Sequence, residues 1–315
     1  MIFKRGILSI GIMILVLSVS GQNYVDLLKL TYLNSPFNTS DTLGDPVRVQ
    51  EFSADATLPI PLRNGHALIT GLYLEQLSVK SSPQNFNVRQ VLGTQLKLGA
   101  NINHGKRLSA TYMFLPKISS DFVELGPNDF QFGGLVLYKL KKKENLNYQW
   151  GLYYNSELFG PFFVPLLGFH YLSKNEKFEM NFTLPVWADM NYKFNSFFST
   201  GLTFSAFVRT YYLSPQSTLG RDEYLVKSSN EIYGYGQFSL SKSWLLQTKV
   251  GYSIGRRFSA YDINDKVVWG FSAFRFGDDR KELNPSFSDG ILLQARLIYR
   301  FHIEKESVNE NPIAD

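Results

Sequence analysis

The chain has 315 residues, a formal charge of +5, aromatic residues at 15% and no cysteine. The lack of cysteine excludes disulfides and a lipid-modified cysteine. The charge falls from +5 to +3 once Lys4 and Arg5 are removed, an excess too small to suggest a nucleic-acid partner.

At the N-terminus Lys4 and Arg5 precede an apolar run from Ile7 to Leu17, followed by Ser18-Val19-Ser20-Gly21-Gln22. That is the order of an export signal, with cleavage expected after Ser20 or Gly21. The apolar run is short of the roughly 20 residues a spanning helix needs. The expected organisation is a signal peptide at 1–21, a single domain at 22–302 and a polar C-terminal tail at 303–315.

From residue 24 the pattern alternates with period two. Strands are predicted at roughly 24–34, 47–60, 66–80, 88–101, 105–117, 129–142, 147–157, 163–173, 176–184, 187–195, 198–213, 228–241, 243–256 and 289–302. Tight connections such as Leu62-Arg63-Asn64-Gly65, Lys174-Asn175 and Ser241-Lys242 alternate with longer ones at 35–46, 81–87, 118–128, 158–162, 214–227 and 257–288. Pro185-Val186 is the one short connection on the long-loop side, where proline ends a ladder by lacking an N–H. The segment 266–276 reads as a strand but would break the alternation if it spanned. It is therefore placed in the last loop, as a strand extension above the membrane.

In the last strand Ile291, Leu293, Ala295, Leu297, Tyr299 and Phe301 share one face, and Gln294, Arg296 and Arg300 share the other. Such strands need apolar surroundings outside and water inside. The expected fold is all-β, a transmembrane antiparallel up-and-down β-barrel of about 14 strands, with 12 or 16 also open. A lysine or arginine facing lipid at mid-depth costs roughly 2–4 kcal/mol. That rule turns Glu51, Asp55, Lys97, Glu179, Asp189, Lys193, Arg209, Glu231, Lys249 and Arg296 toward the lumen. Tyr24, Tyr138, Tyr192, Tyr212, Trp244, Tyr299 and Phe301 fall near strand ends, where aromatic girdles sit.

Three features carry a resemblance: Ser20-Gly21-Gln22 at the cleavage region, the block Phe178-Glu179-Met180-Asn181-Phe182-Thr183-Leu184-Pro185, and Ala188-Asp189-Met190-Asn191-Tyr192 after it. With them the chain resembles an uncharacterised outer-membrane β-barrel family of Bacteroidetes-type bacteria, a domain of unknown function. The Leu-Pro step before a tyrosine-bearing strand is also similar to fatty-acid-transporter-like barrels. The resemblance implies a bacterial outer-membrane location, with membrane lipid and the barrel assembly machinery as partners, and it brings no catalytic residues. Such barrels often end on an aromatic residue, whereas here Phe301 is followed by a polar tail.

Chemistry is sparse. His66, His104, His170 and His302 all fall near the predicted periplasmic rim, mostly on strands that are not neighbours. A metal site needs ligands converging within about 2.0–2.2 Å of one ion, so neither a metal nor another cofactor is expected. An outer-half Ser–His or Asp–His pair has no histidine to use, so no enzyme is expected. The lumenal charges mix signs over many strands and read as a hydrated, salt-bridged wall. The last loop carries Phe271, Phe274, Phe276 and Phe287 beside Asp278-Asp279-Arg280-Lys281-Glu282, suited either to a constriction or to a mobile surface loop. The leading expectation is a passive channel or transporter for small solutes or lipophilic molecules. The alternative is a structural or adhesin-like barrel acting through its outer loops, and the sequence names no cargo.

Overall fold

The computed structural model describes residues 24–39, 46–81, 90–218, 220–284 and 288–302. The expected signal peptide at 1–21, the tail at 303–315 and Phe287 lie outside the described residues. The strands are β1 (Tyr24–Thr39), β2 (Pro46–Pro61), β3 (Ala67–Ser81), β4 (Gln90–Asn103), β5 (Leu108–Ser120), β6 (Phe130–Lys143), β7 (Leu146–Glu157) and β8 (Gly160–Leu172). They continue with β9 (Phe178–Leu184), β10 (Trp187–Lys193), β11 (Phe198–Leu213), β12 (Glu223–Ser239), β13 (Trp244–Asp262), β14 (Trp269–Phe271), β15 (Phe274–Phe276) and β16 (Ile291–His302).

Fourteen of these, β1 to β13 and β16, pair antiparallel around a closed ring, sealed where β1 meets β16 from Tyr24↔His302 to Asn34↔Leu293. Closure pairs every one of these strands on both sides over at least part of its length, as hydrocarbon would penalise an open edge by several kcal/mol per unpaired group. The two remaining strands, β14 and β15, form the small hairpin that the 266–276 segment foreshadows. It does not span but adds to the edge of β8, with β14 parallel and Gly270 opposite Phe162.

Alternation fixes which face meets lipid. Leu72 and Leu74 on β3, Leu96 and Leu98 on β4, and Val250 and Tyr252 on β13 are exposed on the outer face. Glu75, Lys249 and Glu231 on the opposite parity are buried inside. Exposed apolar side chains on strand after strand far exceed what a water-facing protein carries.

The strands at the long-loop end run further than expected, β5 to Ser120, β13 to Asp262 and β12 from Glu223. The extra length does not stand up into solvent. In the outer parts of β11, β12 and β13, consecutive residues of both parities are buried: 210–213, 224–227 and 258–261. A strand buried on both faces lies between two layers, so these three strand ends curl inside the barrel. The expected water-filled lumen is therefore replaced at that end by two apolar clusters. Tyr211, Leu213, Leu225 and Phe258 pack on Val49, Leu77, Val79 and Val91. On the other side of the same strands, Tyr224, Val226 and Tyr261 pack on Phe159, Phe162, Val164, Leu166 and Val267.

A bulge helps β13 make this curl. Its register with β12 shifts between Ser228 and Asn230, and Gly255 takes φ 65°, the left-handed region open to glycine. Beyond it the inward residues change parity, from Lys249 and Ser253 to Arg256 and Phe258.

Candidate functional site

The curl has a local cause. Strands β9 and β10 have only seven residues each. Their ladders end at Leu184 opposite Leu167 and at Trp187 opposite Ser205, joined by Pro185-Val186. Above that turn neither β8 nor β11 has its barrel neighbour, so the wall is breached. Hairpin β14–β15 covers part of the β8 edge, with the Val267 amide donating to the Phe159 carbonyl (2.8 Å) and Ser272 to Phe163 (2.8 Å). The edge of β11 instead crosses the lumen to the wall of β5 to β7. There the Thr210 amide and hydroxyl both donate to Glu157, at 3.0 and 2.6 Å, and the Thr210 carbonyl accepts from Ser119 Oγ (2.8 Å) and Gln131 Nε2 (3.1 Å). Asp121 N–H donates to the Tyr212 carbonyl at 3.0 Å.

The breach opens a cavity of about 1050 Å³ lined by residues from both faces of the sheet. Inward-facing Leu135, Leu137, Tyr153, Val164 and Leu166 of β6 to β8 form one side. Phe204, Ala206, Val208, Val226 and Ser228, which follow the lipid-facing parity of β11 and β12, form the other. Exposed Leu184, Pro185 and Arg257 mark where the cavity reaches the outer surface. Near the loops it is bounded by Arg275, whose guanidinium lies 4.7 Å from the Phe162 ring, and by Arg280, 4.3 Å from Tyr261. Arg280 Nε and Nη2 each donate to Asp278 at 2.8 Å, holding that loop carboxyl below the usual carboxylate range.

A second, polar chamber of about 370 Å³ lies in the short-turn half. Trp187 lines both spaces. The second chamber is walled by Asp26, Lys29, Glu179, Asp189, Lys249, Arg296 and Arg300.

The structure distributes the predicted lumen residues over these places. Asp55 and Lys97 pair and line the upper cavity. Glu51 binds Lys227, while Arg209 binds Glu75 and lies 3.9 Å from Glu51. Glu231 accepts from the Tyr233 hydroxyl at 2.6 Å. Glu179, Asp189, Lys249 and Arg296 share the polar chamber. Lys193 ends β10 exposed at the rim, outside both chambers.

Among the predicted girdle residues, Tyr138 stacks on Trp150 (5.8 Å), Trp244 meets Tyr299 (5.0 Å), and Tyr192 and Phe301 are exposed. Two of them depart from that placement. Tyr24 faces the polar chamber, donating its hydroxyl to Glu179 at 3.1 Å, because the bulge between Asp26 and Leu28 changes the parity of β1. Tyr212 is buried where β11 curls inward, its hydroxyl bonded to Asp222.

The histidines stay apart at the short-turn end. His66 Nδ1 accepts the Asn103 amide, His104 lies 3.2 Å from the Tyr112 hydroxyl, and His170 lies 3.0 Å from Glu179. Glu75, Lys227, Lys117 and Glu157 are site residues that sequence reasoning missed. Glu75 could have been found, since it shares the inward parity of Tyr73 and Leu77 in a predicted strand.

Ring closure, the apolar outer belt and the charged interior define a membrane-spanning β-barrel. Within that class the chain belongs to the family described as domain of unknown function DUF6268, which matches residues 64–291. Comparison with curated proteins gives no match. Among solved structures the chain is similar to the COG4313 outer membrane channel from Pseudomonas putida F1, at 10% identity and a TM-score of 0.43, covering 90% of this chain and 98% of that one. It is also similar to the Pseudomonas putida toluene transporter TodX (10% identity, TM-score 0.34, 88% and 89% covered) and to the porin NanC (8% identity, TM-score 0.35, 86% and 98% covered).

Proposed function

We propose that this protein is an outer-membrane transporter that admits an apolar or amphiphilic molecule sideways, through the breach above β9–β10, rather than a pore open along its axis. One observation carries this reading: the 1050 Å³ cavity is lined by lumenal residues of β6 to β8 and by lipid-parity residues of β11 and β12 at once. A cavity bounded by both faces of one sheet connects inside with outside through the wall. Its volume is at the upper end of the range for small-molecule sites, and its lining sets apolar side chains beside charged ones such as Lys97, Lys117, Glu157 and Arg209, which suits a molecule with an apolar body and a polar end. The axial route is obstructed by the two apolar clusters at the long-loop end. The export signal expected at 1–21, with a closed barrel of this kind, supports placement in a bacterial outer membrane.

The test uses N-phenyl-1-naphthylamine, a neutral dye whose emission rises in apolar surroundings. Energy transfer from Trp187 is read against a Trp187→Phe baseline. Saturable binding to the purified barrel is expected, weakened severalfold or more by Ala206→Trp, which fills the passage beside the Val186 carbonyl. A barrel that still migrates as a folded species but binds no dye would return the choice to a structural barrel acting through its loops.

A further inference from the structure

We infer that the polar chamber in the short-turn half is a binding site for one negative charge, held between Lys249 and Arg296. The reading above bears on it only in how the ligand arrives. The chamber presents four cationic side chains, Lys29, Lys249, Arg296 and Arg300, to three carboxylates, Asp26, Glu179 and Asp189. Each carboxylate has partners of its own. Asp26 takes Arg300 at 2.7 Å and Lys29 at 3.6 Å. Glu179 accepts from the Tyr24 hydroxyl at 3.1 Å and lies 3.0 Å from His170 Nε2. Asp189 accepts from the Tyr235 hydroxyl at 3.1 Å.

Lys249 and Arg296 are left over. Neither has a carboxylate oxygen within 4.0 Å among the described residues. Lys249 is only 6% exposed and rests against two rings, 5.7 Å from Tyr233 and 5.2 Å from Tyr235. Arg296 donates Nε to Thr31 Oγ1 at 3.1 Å, and its terminal nitrogens bond to no described residue. In the ladder Lys249 stands opposite Gln294 and Gln247 opposite Arg296. The two cations are thus diagonal neighbours on one face, about 7–8 Å apart at their backbones.

Asp189 acts on both cations from beyond 4.0 Å, but the chamber carries one more cation than carboxylate, an excess that is costly beside buried Lys249, and the two cations repel each other. One anion between them offsets both penalties, and a guanidinium fork suits a carboxylate or sulfonate. That charge comes either from a free inorganic anion or from the anionic end of a molecule descending past Trp187, which lines both chambers.

Two dyes with the same ring system separate these outcomes: 8-anilinonaphthalene-1-sulfonate and neutral N-phenyl-1-naphthylamine, both read by energy transfer from Trp187. The sulfonate is expected to bind about tenfold more tightly, as one added charge-assisted contact supplies. The double variant Lys249→Gln, Arg296→Gln should abolish that preference while leaving the neutral dye unchanged. In the wild-type protein, sodium iodide should displace the sulfonate dye and not the neutral one, a comparison that needs no variant to fold. No sulfonate preference, but saturable iodide quenching of Trp187 that the double variant loses, assigns the site to free anions. If neither appears, the anion site is overturned. Failure of the neutral dye to bind counts instead against the lateral route.

Discussion

Glu75 shows how much one buried side chain holds here. Its side chain is 1% exposed, and its carboxylate takes Arg209, the Tyr211 hydroxyl and the Tyr73 hydroxyl. The first two come from β11 and the last from β3, so a single carboxylate ties the curled strand to the wall opposite. Breaking a buried pair by neutralising one member costs roughly 3–5 kcal/mol, since the other charge stays buried without its partner. Lys227 Nζ also lies 3.7 Å from Glu75, and Glu51 faces the same two cations, Arg209 and Lys227, but is more exposed, at 15%. We expect Glu75→Gln to lower the temperature at which the folded band is lost on unboiled gels, and Glu51→Gln to lower it less. Equal shifts would mean that Glu75 does not hold β11. The inward parity of Glu75 was legible in the sequence, but its partners were not. Arg209 and Tyr211 reach it from 134 and 136 positions further along the chain, through a curl that alternation alone does not encode.

At the scale of elements, β11 departs furthest from barrel regularity. Its lower half, from Ser199 to Ser205, pairs with β10, whereas its outer half keeps β12 on one side but on the other has lost that neighbour and is held mainly by side chains. Backbone groups satisfied by a few side chains open more easily than a full ladder. We expect Glu157→Gln combined with Thr210→Val to speed exchange of the Val208, Thr210 and Tyr212 amides, which face the unpaired edge, by about tenfold or more, and to change the amides that face β12 less. That corresponds to about 1.4 kcal/mol of lost protection, within what removing two charge-assisted bonds delivers. Exchange in β3 and β4, on the intact wall, should not change, and a uniform rise across all strands would argue against a local latch. The strand order, the closed ring and the short turns were legible because lipid outside enforces period two on every spanning strand. The short β9 and β10 were legible too, with Pro185-Val186 marking their end. What alternation could not show is the consequence of their shortness. A missing neighbour acts on β8 and β11, whose own sequences look ordinary.

Across the whole molecule, a barrel of this strand number can hold an open lumen, since side chains fill the interior at about 8 strands and water fills it at 16 or more. Here that space is occupied by the protein's own strands at one end. Val49, Leu77 and Val91 on the wall meet Leu213, Leu225 and Phe258 on the curled strands, all of them buried. Ions moving along the axis would have to part this layer, so the wild-type barrel in a planar bilayer should show at most small, brief conductance events. Leu213→Ala with Phe258→Ala removes apolar bulk from that layer, at a cost of roughly 2–5 kcal/mol for each truncation. It leaves the Thr210 bonds and the second cluster of Phe162, Val164 and Tyr224 in place. Conductance should therefore rise severalfold on this substitution while dye entry through the breach persists, because Leu213 and Phe258 do not line the breach cavity. A steady porin-sized conductance in the wild-type protein would show instead that the layer does not close the axis. The breach would then lose its standing as the principal way in.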